Sequence, residues 1–187
     1  MEESPMREAI FCTEVVNSIK AVGQSAYKIA DTPIDRSSRR MRFAVNKPSD
    51  IVTNIEGHSA IIECKQLRKM RSIGLKEFRP SQIKALDEHS LKGPCAYAFV
   101  NLRFPRTSDF GQTNEALILD WRRWGPYLKS GKRITIDMLT GGEKPPFRFW
   151  WMSRKNYHVT EFKKIAGWDL ADWMHIVSLG KVSSNWD

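Results

Sequence analysis

The nineteen residues from Lys47 to Lys65, KPSDIVTNIEGHSAIIECK, leave the chain few ways to fold. Two short apolar runs, Ile51-Val52 with Ile55 and then Ala60-Ile61-Ile62, flank the pair Glu56-Gly57. Glycine reaches φ > 0 without penalty, so the stretch is predicted to be a tight β-hairpin. Such a hairpin sets Asp50, at the mouth of the first strand, opposite Glu63 toward the end of the second. Side chains two apart along a strand share a face, so Lys65 points with Glu63. Two carboxylates and one ammonium are thereby expected at one corner of a sheet.

That trio has a chemical use. Paired carboxylates suit a hard divalent cation such as Mg²⁺, which takes few protein oxygens and otherwise keeps water and phosphate. A cation held there lowers the pKa of bound water and offsets charge on a phosphoryl transition state. The neighbouring ammonium is placed to orient the attacking water or steady the scissile phosphate. On spacing alone the trio also fits a solvated edge hairpin, so the flanks have to decide.

The flanks are basic. A net charge of +9 and an isoelectric point near 9.6 make a polyanion the natural partner. Arg36, Arg39, Arg40 and Arg42 crowd the segment before Asp50, and Arg68, Lys69, Arg71 and Lys76 follow Lys65. A guanidinium fork pairs with phosphate in two places at once, and several such contacts supply most of the salt-sensitive affinity for DNA. These eight residues are expected to be the DNA-binding set. No apolar run reaches the roughly 18 residues of a membrane span, and the opening MEESPMREAI is unlike a signal peptide. Cys12, Cys64 and Cys95 lack CxxC spacing, which argues against a disulfide framework or a zinc site and fits a cytoplasmic protein.

Elsewhere the pattern alternates helix and strand. Pro5 opens a helix whose stripe is Phe11, Val15, Ile19 and Val22, stopped by Gly23. Glu14 lies on the flank of that stripe and Glu8 nearer its middle; either is placed to lean over the acidic corner. Residues 25–30 read as a strand. Pro80 begins a second helix, with Gln82 in its first turn and Ile83 and Leu86 facing inward. The run from Cys95 to Leu102 is almost wholly apolar, as suits a central strand covered on both faces. Residues 103–113 read as a polar loop, and Ala116 to Leu119 as a short strand. Trp121 begins a short helix ending before Gly125-Pro126, and its tryptophans suit core or dimer packing better than base stacking. Phe147 to Met152 reads as an aromatic strand, and Leu170 to Leu179 as a closing amphipathic helix.

In register, these features carry a resemblance. Asp50, twelve residues and then Glu63-Cys64-Lys65 is the pattern of the PD-(D/E)XK nucleases. Glu14-Val15-Val16-Asn17, YKIADTP, that motif, and Phe78 with Gln82 seventeen residues past Lys65 together resemble the RecU-type Holliday-junction resolvases over residues 8–120. The resemblance implies an α/β fold with a restriction-endonuclease-like mixed β-sheet flanked by helices. It implies that 1–187 is one nuclease domain, with 1–120 as its core and 121–187 as an aromatic-rich elaboration. Asp50 and Glu63 then become metal ligands with the Cys64 carbonyl, Lys65 the catalytic lysine, Gln82 a supporting residue and Glu14 a further site acid. Mg²⁺ is the implied cofactor, with Mn²⁺ as substitute, and the implied protein is a homodimer nicking four-way DNA junctions in pairs. The segment Ile34 to Ser49 is shorter than that family's stalk, as in a phage-type or relaxed-specificity member. Three other readings compete: a restriction- or repair-type endonuclease on duplex or flap DNA, a DNA-binding module without catalysis, and an RNA-binding protein, against which the lack of an aromatic-rich RNP-like run argues.

Overall fold

The computed structural model describes residues 5–29, 49–67, 72–91, 95–104, 113–160 and 163–178. A six-stranded mixed sheet runs in the order β1 (Ser25–Lys28), β2 (Ile51–Ile55), β3 (His58–Leu67), β4 (Cys95–Phe104), β5 (Thr113–Asp120) and β6 (Trp150–Met152). Only β3 and β4 run parallel, joined through α2 (Pro80–Leu91); the other neighbours are antiparallel. This is an α/β fold with helices on both faces of the sheet, as the pattern predicts.

Alternation along β4 builds both layers. Tyr97 and Phe99 point to one side, where α1 (Pro5–Ala21) supplies Phe11, Val15 and Ile19. Ala96, Ala98 and Val100 point to the other, under Leu86 of α2 and Trp121, Trp124 and Leu128 of α3 (Trp121–Lys129). All five of those β4 residues are fully buried, which accounts for the unbroken apolar run. The stripe of α1 holds except at Val22, which lies past the end of the helix and is exposed.

The hairpin forms with Ile51 opposite Ile62 and Ile55 opposite His58. Both turn residues sit at positive φ, Glu56 at 48° and Gly57 at 88°, which is the two-residue turn that follows strand twist. The Asn54 carboxamide accepts from the Gly57 N–H at 2.9 Å, and Gln24 accepts from the Glu56 N–H at 3.0 Å.

Several elements differ from expectation. Strand β1 stops at Lys28, and β4 and β5 extend into the predicted loop, pairing Arg103 with Asn114 and Phe104 with Thr113. Helix α3 runs straight through Gly125-Pro126. It is capped by Asp120, whose carboxylate accepts from the Arg122 N–H at 3.0 Å. Gly125 is needed there because the Trp121 ring lies across it: a Cβ would come within 2.7 Å of the indole nitrogen. That ring cannot swing away freely, since its N–H donates to Asp87 of α2 at 2.8 Å. Gly125→Ala is therefore expected to cost about 1–3 kcal/mol by overpacking, measured by urea unfolding. Both Trp121 and Trp124 are buried, so they pack the core and are not base-stacking surfaces.

After the short helix α4 (Ile136–Thr140), the predicted aromatic strand is reduced to β6, and a hairpin of β7 (Arg154–Thr160) and β8 (Lys163–Trp168) follows. That hairpin, absent from the sequence reading, lies on α1. Ser18 accepts from the Trp168 N–H at 2.7 Å, and Trp168 meets Phe11 edge-on. Helix α5 (Ala171–Ser178) closes the same layer with Trp173 and Val177, while Leu170 is buried just ahead of it. Residues beyond Trp121 are thus built into both layers of the core.

Candidate metal and nuclease site

The register of the hairpin fixes the site. The Asp50 N–H bonds the Ile62 carbonyl at 3.1 Å, which places Asp50 beside Glu63. Its carboxylate in turn accepts from the Cys64 N–H at 2.9 Å. Glu63 and Lys65 lie on one face of β3, the ammonium 3.0 Å from the Glu63 carboxylate. All three are buried, Asp50 at 8%, Glu63 at 1% and Lys65 at 9% exposure. Such burial of two acids and an amine is costly unless each is paired or coordinated.

Two further residues reach the corner. Gln82, in the first turn of α2, donates its amide N–H to Glu63 and accepts from the Arg79 N–H at 2.9 Å. That second bond caps the helix start and holds the amide in one orientation. Glu8, near the start of α1, lies 3.8 Å from the Lys65 ammonium. Carboxylate oxygens of Glu8, Asp50 and Glu63 all fall within 4.8 Å of one another.

Glu14 sits elsewhere. Six residues on from Glu8, it points roughly 120° away around the helix. There it accepts from Arg154 of β7 at 3.0 Å and from the Trp168 indole at 3.1 Å. The acid of α1 that approaches Asp50 and Glu63 is Glu8. Sequence spacing left the two open because the stripe fixes helix phase only to within a residue or two. Among the expected DNA contacts, Lys76 is exposed beside Phe78, in a 3₁₀ turn ahead of α2. Arg36, Arg39, Arg40, Arg42, Arg68, Lys69 and Arg71 lie outside the described residues. Cys64 serves Asp50 through its N–H, and its fully buried side chain points into the layer beneath α1.

The electrostatics suit a cation. Burial, then the Asp50 charge, raise the Glu63 carboxyl to about 8, against the opposing pull of Lys65. Burial alone would lower the Lys65 ammonium, but the Glu63, Glu8 and Asp50 charges outweigh it and raise it. One ammonium among three carboxylates leaves an excess of negative charge, and the all-oxygen donor set is that of a hard divalent ion.

A stability consequence follows. The folded chain holds the Glu63 proton up to about 8, whereas an unfolded glutamate releases it near 4.5. Between those values the folded state binds more protons, so stability falls as pH rises. Denaturant melts of the metal-free protein are expected to show that loss between pH 4.5 and about 8, and Glu63→Gln to flatten it.

No model of a known protein family matches the chain, and no curated protein matches it. Among solved structures it is similar to Archaeoglobus fulgidus Hjc, a Holliday junction resolvase from an archaeal hyperthermophile. The identity is 16%, the match covers 61% of this chain and 77% of that one, and the TM-score is 0.37.

Proposed function

We propose that this protein is a Mg²⁺-dependent DNA endonuclease, a PD-(D/E)XK enzyme that resolves four-way junctions as a homodimer. The reading is carried by one observation: three carboxylates converge within 4.8 Å, with an ammonium 3.0 Å from one of them, at a sheet corner. It is supported by the net charge of +9, which favours a nucleic-acid partner. The RecU-type resemblance over residues 8–120 supplies the junction as substrate, and it also supplies the two-fold symmetry that paired nicks require.

In this reading Asp50 and Glu63 hold the cation, with Glu8 as the third acid and the Cys64 carbonyl completing the protein ligands. A bound Mg²⁺ or Mn²⁺ supplies the acidity that turns water into a nucleophile at neutral pH and offsets phosphate charge. Lys65 directs its ammonium toward the scissile phosphate and the attacking water, held in place by Glu63 and by the Phe78 ring, whose centroid lies 6.0 Å away. Gln82 fixes the rotamer of Glu63 from behind. Loss of such an orienting partner commonly costs 10–100-fold in metal affinity or activity, so Gln82→Ala is expected to lower Mg²⁺-dependent nicking by about that factor. A Mg²⁺ titration of nicking rate checks it. The basic residues before Asp50 and after Lys65 bind the phosphate backbone, and the three free cysteines suit a reducing cytoplasm.

The test is cleavage of end-labelled four-way junction, linear duplex and flap DNA of matched sequence, with Mg²⁺ and with chelator. Symmetric nicks confined to the junction and to Mg²⁺ are expected. Equal cutting of duplex or flap would instead assign a restriction- or repair-type nuclease with the same site, and binding without cutting would retire catalysis.

A further inference from the structure

Behind the acid corner lies a second set of donors, of which the Cys12 and Cys64 thiols have no part in the nuclease chemistry. Cys12 follows Glu8 by four residues and so shares its face of α1. Its thiol meets that of Cys64, a pairing of distant segments that the lack of CxxC spacing argued against, and both sulfurs and an Asp50 oxygen lie within 4.8 Å of one another. Cys12 and Cys64 are 2% and 0% exposed, and Asp50 8%. Asp50 therefore belongs to two triads at once, one of oxygen donors with Glu8 and Glu63, one with two sulfurs. A tetrahedral ion with Zn–S bonds of about 2.3 Å needs its two sulfurs only about 3.8 Å apart. The two sulfurs already lie within 4.8 Å of each other.

We propose that Cys12, Cys64 and Asp50 form a site for a thiophilic divalent cation, of the Zn²⁺ and Cd²⁺ class, which competes for Asp50 with the hard ion of the acid corner. Thiolates select such ions and reject Mg²⁺, so the two triads divide metals by softness. Entry is through the acid corner, where the Glu8 side chain is 32% exposed and stands one helical turn from Cys12. Binding releases two thiol protons to solvent, and the two thiolates and Asp50 then hold the ion. The inhibitory consequence rests on the nuclease reading, but the site itself does not.

The test is titration of the full chain with Cd²⁺, followed by the ultraviolet thiolate-to-metal charge-transfer band. The band is expected to saturate at one ion per chain in the wild type and in Cys95→Ala, to survive excess Mg²⁺, and to vanish in Cys12→Ala. X-ray absorption of the Zn²⁺-loaded wild type is expected to show two sulfurs at about 2.3 Å, a result that needs no variant to fold. In nicking assays, Cd²⁺ filling about nine sites in ten is expected to slow the wild type about tenfold, since only the fraction with Asp50 free stays competent, and to spare Cys12→Ala. A wild type without the band, an oxygen-only shell, or a band undiminished in a folded Cys12→Ala overturns the proposal. If no nicking occurs under any condition, the spectra still decide the site. If nicking is normal but the spectra are blank, the soft site alone falls.

Discussion

Asp50→Asn and Glu63→Gln are each expected to lower Mg²⁺-dependent cleavage by roughly a thousandfold or more while changing junction affinity only a few-fold. The size follows from the several kcal/mol of charge stabilisation a metal supplies, at about 1.36 kcal/mol for each tenfold in rate. Both substitutions keep shape and remove charge. Asn at 50 still offers an oxygen to the Cys64 N–H, and Gln at 63 still accepts from Gln82 and Lys65, so the hairpin keeps its bonds. In the proposed reading affinity survives, because the basic residues spread along the chain would supply it rather than the acid corner. Single-turnover nicking and salt-controlled band shifts on the same junction measure the two quantities. Cleavage by either variant at the wild-type rate would remove the mechanism.

Trp168→Ala is expected to be among the most damaging changes away from the site, at about 3–5 kcal/mol. Its ring is fully buried, meets Phe11 edge-on at 5.5 Å, and carries the Arg154 guanidinium at 4.8 Å. Its indole N–H also feeds Glu14. Removal leaves a cavity between α1 and the β7–β8 hairpin and strips that carboxylate of one donor. For a chain of this length each kcal/mol moves the melting temperature by about 2–4 °C, so a fall of roughly 10 °C is expected in thermal unfolding. A shift of a degree or two would mean that the hairpin contributes little to holding α1, and with it Glu8, against the sheet.

The sequence made the site's centre legible because its signal is local. A two-residue turn fixes register, register fixes which side chains face each other, and Asp50, Glu63 and Lys65 all lie within one hairpin. Gln82 was legible for a similar reason, since a proline marks the start of its helix. The choice between Glu8 and Glu14 was not, because helix phase is set by tertiary contact: Arg154 and Trp168, far along the chain, claim Glu14. Helix α3 crossing Gly125-Pro126 was equally hidden, since its reason is a tryptophan ring resting on the glycine. The β7–β8 hairpin is polar along much of its length, with exposed Arg154, Lys155, Asn156 and His158, and so lacks the apolar alternation that identified the first hairpin. Its anchor, Trp168 against Ser18 and Phe11, is a contact between distant segments that no periodicity encodes.

The most direct test is Mn²⁺ binding to the DNA-free protein, followed by electron paramagnetic resonance in buffer above the Glu63 value of about 8. The wild type is expected to take up Mn²⁺ that excess Mg²⁺ displaces, and Asp50→Asn to leave it in solution. A wild type that binds none, or an Asp50→Asn variant that binds as well as the wild type, would contradict the three-carboxylate metal site.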